Sequence, residues 1–276
     1  MASTAPLSVA PRSTSRVGPR VPHRLQGLLG VVVLLALLQL ATAVGILPER
    51  SFPYITADLA ALADQFGEVG FWESVANTLA GWALGFGIAA IVGIVLGVLI
   101  GSSDALHSAT RVIVEFLRPI PSVALIPLAV LVYGTGLQSK VFLAAFAATW
   151  PILVQATYGV RDADPVAVDT ARAFGFGRMA RARWVTLPSA VPYIVTGLRV
   201  ASATALILVV TAELVIGAPG LGQAINVARS GGSFEAMYAL IIATALLGWA
   251  LNLLFTALER RMLHWHPSQR VQEGVS

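Results

Sequence analysis

The stretch VANTLAGWALGFGIAAIVGIVLGVLIG, residues 75–101, decides the fold class because it contains no charged residue. Its length exceeds the roughly 20 apolar residues that a helix needs to cross a hydrocarbon core. Gly93, Gly97 and Gly101 repeat every four residues, which places them on one helix face. Small residues at this spacing let a second membrane helix approach closely. The stretch therefore predicts a transmembrane helix with a tightly packed neighbour.

The whole chain has the composition of a membrane protein. Hydrophobic residues make up 57% of its 276 residues and charged residues 12%, whereas soluble domains contain about 25% charged residues. The net charge of +4 comes from arginines that alternate with apolar runs, so nucleic acid is not predicted as a partner. Cysteine is absent, which excludes disulfides and thiolate metal sites. We predict an all-α protein embedded in a lipid bilayer.

Apolar runs predict about six transmembrane helices. The third run is interrupted by Pro119, Pro121 and Pro127, and proline removes a backbone donor and bends a helix. In lipid, such breaks persist where protein or a wet cavity satisfies the freed carbonyls. Pro121 and Pro127 are therefore predicted to line a path through the membrane. The predicted spans are residues 25–47, 75–101, 117–136, 141–160, 190–217 and 236–258.

The segments around the first span have distinct compositions. Residues 1–24 are basic and poor in apolar side chains, which predicts a disordered tail. The run 25–47 also resembles a secretory signal, but it is longer than the roughly 7–15 apolar residues of one, so we expect it to be retained. Residues 48–74 are acidic. Within them an amphipathic surface helix is predicted, from the helical spacing of Ile55, Leu59, Leu62 and Phe66.

Lysine and arginine are distributed unevenly between the two sets of connecting segments. Fourteen lie in the tail 1–24 and in every second segment after it, and three lie on the other side, at Arg50, Lys140 and Arg229. Cytoplasmic segments of membrane proteins collect lysine and arginine. This predicts that both termini are cytoplasmic, with residues 75–259 as the core domain and 260–276 as a second tail.

The long loop 161–190 carries helix signals. Asp164 is a good N-cap, Pro165 suits the first helical position, and Gly175 can end the helix in a left-handed conformation. A second short helix is predicted to end before Leu187 and Pro188. A capped helix parallel to the membrane can dock into a groove on a soluble partner. The alternative is an interfacial helix whose arginines contact lipid headgroups.

The loop also contains a spaced pattern of residues. This pattern resembles the inner loop of binding-protein-dependent ABC importer permeases, in which Glu-Ala-Ala, Gly, Ile and Leu-Pro stand at the same spacings. Asp169 and Thr170 replace the family's Glu and first Ala, which leaves contacts peculiar to those two residues in doubt. The matching positions are Asp169, Thr170, Ala171, Gly175, Val185, Leu187 and Pro188.

Other segments extend the resemblance over residues 73–265. RPIPSVALIPLAVLVYGTG, LPSAVPYIVTGLRVA, AELVIGAPGLG and LERRMLHW are similar to the branch that imports nitrate, taurine and aliphatic sulfonates. Some relatives in this branch carry thiamine precursors or aromatic carboxylates instead.

The resemblance implies a type I ABC importer permease in the bacterial inner membrane. It implies a homodimer with two ATP-binding subunits and an extracytoplasmic binding protein. In this family the loop forms coupling helices in a cleft of the ATPase, so residues 164–178, including Arg172 and Arg178, are expected to dock there.

Polar residues inside the apolar spans are further candidates for the translocation path. Gln155, Thr204 and Thr211 could bridge helices or line the path. Glu213 belongs to the same group, because an intramembrane carboxylate must face protein or water. A structural bond from Glu213 to backbone donors is the favoured alternative.

The energy source is expected to lie on another chain. A phosphate-binding loop needs a lysine after glycine, and the only lysine, Lys140, follows Ser139. No cofactor is therefore predicted in this chain, and ATP and Mg are assigned to the partner ATPase. A secondary transporter and an intramembrane enzyme are the competing classes, but more intramembrane acids or a catalytic motif would be expected.

Overall fold

A computed structural model describes residues 23–263, and every regular element within them is helical. The chain forms two compact units, one ending at Ile55 and one beginning at Thr56. The first unit contains α1. The helices are α1 His23–Ala43, α2 Ile55–Gln65, α3 Val69–Gly101, α4 Asp104–Leu117, α5 Ile126–Tyr133, α6 Leu137–Arg161, α7 Pro165–Ala173, α8 Arg178–Arg181, α9 Leu187–Ile216, α10 Leu221–Ser230 and α11 Phe234–Met262.

Four helical segments are long and apolar enough to cross a membrane. They are α3, α6, α11 and the continuous stretch Arg178–Ile216 that contains α8 and α9. A fifth crossing is possible where α4 is followed, across an 81° bend, by the helical pair Ser122–Tyr133. α1 adds a shorter apolar stretch, Leu29–Ala43. The prediction of an all-α membrane protein with about six spans is confirmed.

Helices α3 and α6 pack in parallel through a row of small residues. A Cβ atom added to Gly85 would lie 2.6 Å from the Cβ of Ala144, and one added to Gly97 would lie 2.6 Å from the Cβ of Ala156. The contacting residues increase in number along both helices, which shows that the helices are parallel, and the residue pairing stays regular along the contact. This confirms the predicted close approach. The same face of α3 also contains Gly81, Ala89, Gly93 and Gly101.

Helix α9 runs antiparallel to α6 and to α11. Gly197 of α9 faces Gln155 of α6, and Arg199 bonds to Asn252 and Glu259 of α11 at 3.2 and 3.3 Å. α3, α6 and α11 therefore end where α9 begins. We call the end of the bundle that carries α7 and α8 the loop end, and the opposite end the far end.

The predicted break in the third span is confirmed at Pro119 and Pro121, where the chain bends. Pro127 does not cause it, because it lies in the first turn of α5, where proline is tolerated. Residues 104–117, expected to be a connecting loop, form the amphipathic helix α4 with no buried residue.

The acidic segment after α1 differs from its predicted form. α3 already begins at Val69, and the buried residues of α2 are Asp58 and Leu62, whereas Leu59 is 48% exposed. Leu62 of the predicted face packs with α10 and α11, but Asp58 rather than Leu59 is buried beside it, so the buried face is rotated from the predicted one. The predicted tail 1–24 lies almost entirely outside the described residues, as does most of the second tail, 260–276.

Candidate functional site

The N-terminus of α7 is fixed by the residues that the sequence singled out. The side chain of Asp164 accepts a hydrogen bond from the backbone N–H of Val166 at 2.9 Å, and Pro165 occupies the first turn. An aspartate cap satisfies a backbone donor that the helix leaves open. The predicted helix start is confirmed.

The C-terminus of α7 depends on a left-handed glycine. Gly175 has a φ of 80°. The N–H of Phe176 donates to the carbonyl of Ala171, and the N–H of Gly175 donates to that of Arg172, both at 3.0 Å. These two hydrogen bonds together form the Schellman motif, which satisfies carbonyls at the end of a helix. Because both ends of α7 are capped, we expect this short helix to move as a rigid body.

The predicted end of the second loop helix before Leu187 is wrong. A π-helical turn, Ala182–Thr186, joins α8 directly to α9. Proline cannot donate a backbone hydrogen bond. Pro188 follows this π turn directly, and the helix continues through it instead of ending.

The loop end presents a surface of mixed polar and apolar side chains. Phe174 is 79% exposed and Met179 is 83% exposed, and Asp169 and Arg172 form an exposed ion pair at 3.0 Å. Large apolar side chains exposed together on a loop typically mark a contact surface. Of the predicted docking residues, Ala171 is buried, and the exposed ones are Asp164, Asp169, Thr170, Arg172, Gly175, Arg178, Leu187 and Pro188.

A cavity of about 420 Å³ lies between the bend of the third span, α6 and α9. Three of the predicted path residues, Pro121, Gln155 and Thr204, line it together. Pro151 lies inside α6 at the same cavity. Because Pro151 cannot donate to the carbonyl of Ala147, which is another residue of the cavity lining, this carbonyl lacks its helical partner. Such breaks in membrane helices are tolerated where they face a cavity or protein.

The other predicted path residues are not at this cavity. Pro127 is exposed on α5. Thr211 is half-buried on α9, where its hydroxyl donates to the carbonyl of Ile207 at 2.7 Å. Thr211 lies seven residues after Thr204, which puts both on one face of α9.

Glu213 lies in a fully buried polar cluster at the far end. Its Oε1 is 2.8 Å from Nζ of Lys140, and these side chains are 0% and 2% exposed. The other carboxylate oxygen accepts hydrogen bonds from the hydroxyl of Thr78 at 2.9 Å and from the N–H of Gly222 at 3.1 Å. The sequence correctly favoured a structural bond to a backbone donor. The prediction that Lys140 lies in a connecting segment is wrong. The residues next to Lys140 in the sequence do not indicate that its partner, Glu213, is 73 residues away.

The same lysine holds the chain that follows α9. Nζ of Lys140 also donates to the carbonyls of Asn77 and Pro219, at 2.9 and 2.7 Å. A Cβ atom on Gly220 would lie 2.1 Å from a carboxylate oxygen of Glu213, so only glycine fits there. The cluster therefore fixes the turn between α9 and α10 against α3 and α6.

Two cavity residues were missed by the sequence reasoning. Arg118 and Trp150 line the 420 Å³ cavity together with the predicted path residues. Arg118 was counted only as a charge of a connecting segment. Its position could have indicated a role at the cavity, because Arg118 directly precedes the proline-rich break and lies at the start of an apolar span.

Comparison with known families decides the identity of the chain. Residues 89–264 match the family described as the binding-protein-dependent transport system inner membrane component. The chain belongs to this family. It is the permease subunit of an ABC importer, a membrane-embedded transport component and not itself an enzyme.

Several relatives are similar to this permease over most of its length. It is 31% identical to the taurine transport system permease protein TauC of Escherichia coli (strain K12), over 73% of each chain. It is 30% identical to the putative aliphatic sulfonates transport permease protein SsuC of the same strain, over 88% of this chain and 93% of the relative. It is 33% identical to the nitrate import permease protein NrtB of Leptolyngbya laminosa, over 70% and 69%.

Solved structures share the fold of the permease. The MetNI methionine ABC transporter in an inward-facing conformation matches with a TM-score of 0.55 and 24% identity, over 69% of this chain and 93% of that one. An amino acid ABC transporter with histidines matches with a TM-score of 0.60 and 19% identity, over 70% and 94%.

Proposed function

We propose that this permease imports a small solute that carries an oxyanion group. The relatives are named for taurine, nitrate, aliphatic sulfonates and bicarbonate. Sulfonate, nitrate and bicarbonate groups all present negatively charged oxygens, so the shared chemistry is recognition of an oxyanion. In this proposal the permease works as a homodimer with two ATP-binding subunits and an extracytoplasmic binding protein. Its termini face the cytoplasm, and ATP and Mg are bound by the partner ATPase.

The observation that carries the ATP-driven part of the proposal is the exposed loop end with its doubly capped helix α7. Phe174 lies at the C-terminal end of α7, whose ends are held by Asp164 and Gly175, and Met179 follows on α8; both side chains are exposed. An ATPase cleft could cover these apolar side chains. Closure of the two ATPase subunits would then displace α7 as a rigid body and move the helices connected to it.

The translocation path in this proposal begins with the cavity between the bend, α6 and α9. Pro121, Gln155 and Thr204 would line it, and Pro127 and Thr211 would continue it along α5 and α9. A second copy would lie beside this path, against the face of α9 on which Ile207 is 63% exposed. Glu213 would hold the far end in place without contacting the solute.

Exchange of Gly175 for aspartate tests the docking assignment. At a φ of 80° a side chain is strained, so Gly175→Asp should disrupt the end of α7 and reduce co-purification of the ATPase about tenfold or more, an order-of-magnitude expectation for a docking contact. Membrane insertion should be unchanged. The matched control is Gly177→Asp, which adds the same charge two residues away, at an ordinary φ of −62° and in open space.

Retention of the ATPase by Gly175→Asp at the level of the unaltered chain would contradict the docking assignment. Loss with Gly175→Asp and retention with Gly177→Asp would assign the effect to the shape of the loop. Loss with both variants would still place the docking surface at this loop and would assign the effect to charge.

A further inference from the structure

Arg118 lies where two cavities of the permease meet. It lines the 420 Å³ cavity that contains Gln155 and Thr204, and it also lines a second cavity of about 520 Å³ between α4 and α6. Val154 of α6 also lines both cavities. It lies about 10 Å along the helix from the last residue of α6, at a rise of about 1.5 Å per residue. Arg118 therefore shares both cavities with a residue of α6 that lies about two turns before the end of that helix.

The guanidinium of Arg118 has no partner within residues 23–263. No hydrogen bond or ion pair joins it to any residue in that range. Neighbouring cations differ, since Arg111 pairs with Glu115 at 2.8 Å and Arg161 pairs with Asp104 at 2.9 Å. A charged side chain at membrane depth is costly unless it meets a counter-charge or water, and such residues typically mark ion pathways.

A second donor beside Arg118 also lacks a partner. Trp150 lines the same cavity, and its indole Nε1 is buried with no hydrogen-bond acceptor in the described part of the chain. Because a buried N–H without an acceptor is unfavourable, this donor would gain a hydrogen bond if the indole turned towards an acceptor in the cavity. The amide of Gln155 and the hydroxyl of Thr204 add further polar groups at the cavity wall.

We propose that Arg118 is the anion-binding residue of the translocation path, with Trp150, Gln155 and Thr204 as its polar surroundings. This inference rests on the proposed import of an oxyanion. Guanidinium donors match the planar geometry of an oxyanion and can bind two of its oxygens at once. An anion entering the cavity would meet the positive charge before it passes into the second cavity.

The absence of cysteine from the sequence allows a direct test. Single reporters are introduced at Thr204→Cys or Gln155→Cys in the full chain, reconstituted in phosphatidylcholine nanodiscs at constant ionic strength. Each reporter is modified with the anionic reagent 2-sulfonatoethyl methanethiosulfonate and with the cationic reagent 2-(trimethylammonium)ethyl methanethiosulfonate. The ratio of the two rates measures the local preference for anions.

Exchange of Arg118 for glutamine should lower this rate ratio about fivefold, because a nearby unit charge attracts one reagent and repels the other. Arg111→Gln is the matched control, since Arg111 is ion-paired on the same helix and does not line the 420 Å³ cavity. Nitrate and methanesulfonate should slow modification by the anionic reagent when Arg118 is present and should have no effect in Arg118→Gln.

An unchanged ratio in Arg118→Gln, or no reaction at either reporter, would overturn the proposal. Loss of the Arg118 effect when phosphatidylglycerol replaces phosphatidylcholine would assign the arginine to lipid headgroups and also overturn it. ATPase co-purification with Arg118→Gln distinguishes the two proposals. Normal co-purification with an unchanged ratio would reject only the anion-binding role, whereas no co-purification even with the unaltered chain would reject the proposed function.

Discussion

At the scale of single residues, the ion pair between Lys140 and Glu213 shows how the far end is held. Taking two charges out of water is costly, and the cost is offset only when geometry and further hydrogen bonds are good. Here the carboxylate accepts bonds from Thr78 and Gly222, and the ammonium donates to two carbonyls. Both charged groups therefore have several hydrogen-bond partners. Replacing one residue of the pair should lower stability much more than replacing both.

Lys140→Met should destabilise the permease by about 3–5 kcal/mol, because it leaves the carboxylate of Glu213 buried without its counter-charge. The double variant Lys140→Met/Glu213→Gln should recover most of this loss, since a neutral amide can keep the bonds to Thr78 and Gly222. Thermal unfolding of the purified permease in one detergent measures both. Equal midpoints for the single and double variants would contradict the role of the ion pair.

Asp58 on α2 makes stability depend on pH. Burial, and then the negative charge of Glu235 on α11, raise the pKa of Asp58 to about 6; Tyr238 on α11 is its other electrostatic neighbour. The folded state thus favours the protonated form, so the stabilisation is complete below about pH 4 and is lost as the pH rises through about 6. The expected decrease in the free energy of unfolding is about 2 kcal/mol.

Asp58→Asn should remove this pH-dependent part, because an amide does not ionise. The unaltered permease should lose thermal stability between about pH 4.5 and 7.5, and the variant should lose less. Asp64→Asn, at an exposed position of the same helix, serves as the control. A loss of stability in Asp58→Asn as large as that of the unaltered chain would show that other groups cause the dependence.

At the scale of the helices, the contact between α3 and α6 depends on missing side chains. A Cβ on Gly97 would lie 2.7 Å from the backbone carbonyl oxygen of Leu153, which cannot move away easily. Gly97→Ala should therefore lower stability by about 1–3 kcal/mol through overpacking. Gly87→Ala on the same helix meets nothing within 4 Å and should be neutral or stabilising by up to about 1 kcal/mol. Thermal midpoints of the two variants test this contrast, and equal effects would contradict it.

The helices also show which features a sequence can specify. The caps of α7 and the small-residue face of α3 were predictable because each depends on residues within a few turns of one helix. α4 was missed because its charged residues, Arg111 and Glu115 among them, imitate a connecting loop. Pro121, Gln155 and Thr204 could be predicted only as a set of path residues, and both the partners of Lys140 and the cavity position of Arg118 depend on how distant helices are placed in space.

At the scale of the whole molecule, the structure sharpens the charge argument for orientation. Lys140 was counted on the less basic side, but it is buried and paired inside α6. Arg50 and Arg229 then remain in the segments predicted to be external, against thirteen basic residues in the segments predicted to be cytoplasmic when the cavity-lining Arg118 is also left out. The charge asymmetry that predicts a cytoplasmic loop end is therefore larger than the sequence alone indicated.

Orientation can be measured on intact cells because the chain contains no cysteine. Gly177→Cys reports the loop end, where a new side chain meets open space, and Asp64→Cys reports an exposed position on α2. A membrane-impermeant maleimide should label Asp64→Cys in intact cells and Gly177→Cys only after permeabilisation. This pattern is expected because the loop end is basic, and basic segments of membrane proteins stay in the cytoplasm. The reversed pattern would place α7 outside the cytoplasm, where an ATPase could not bind it.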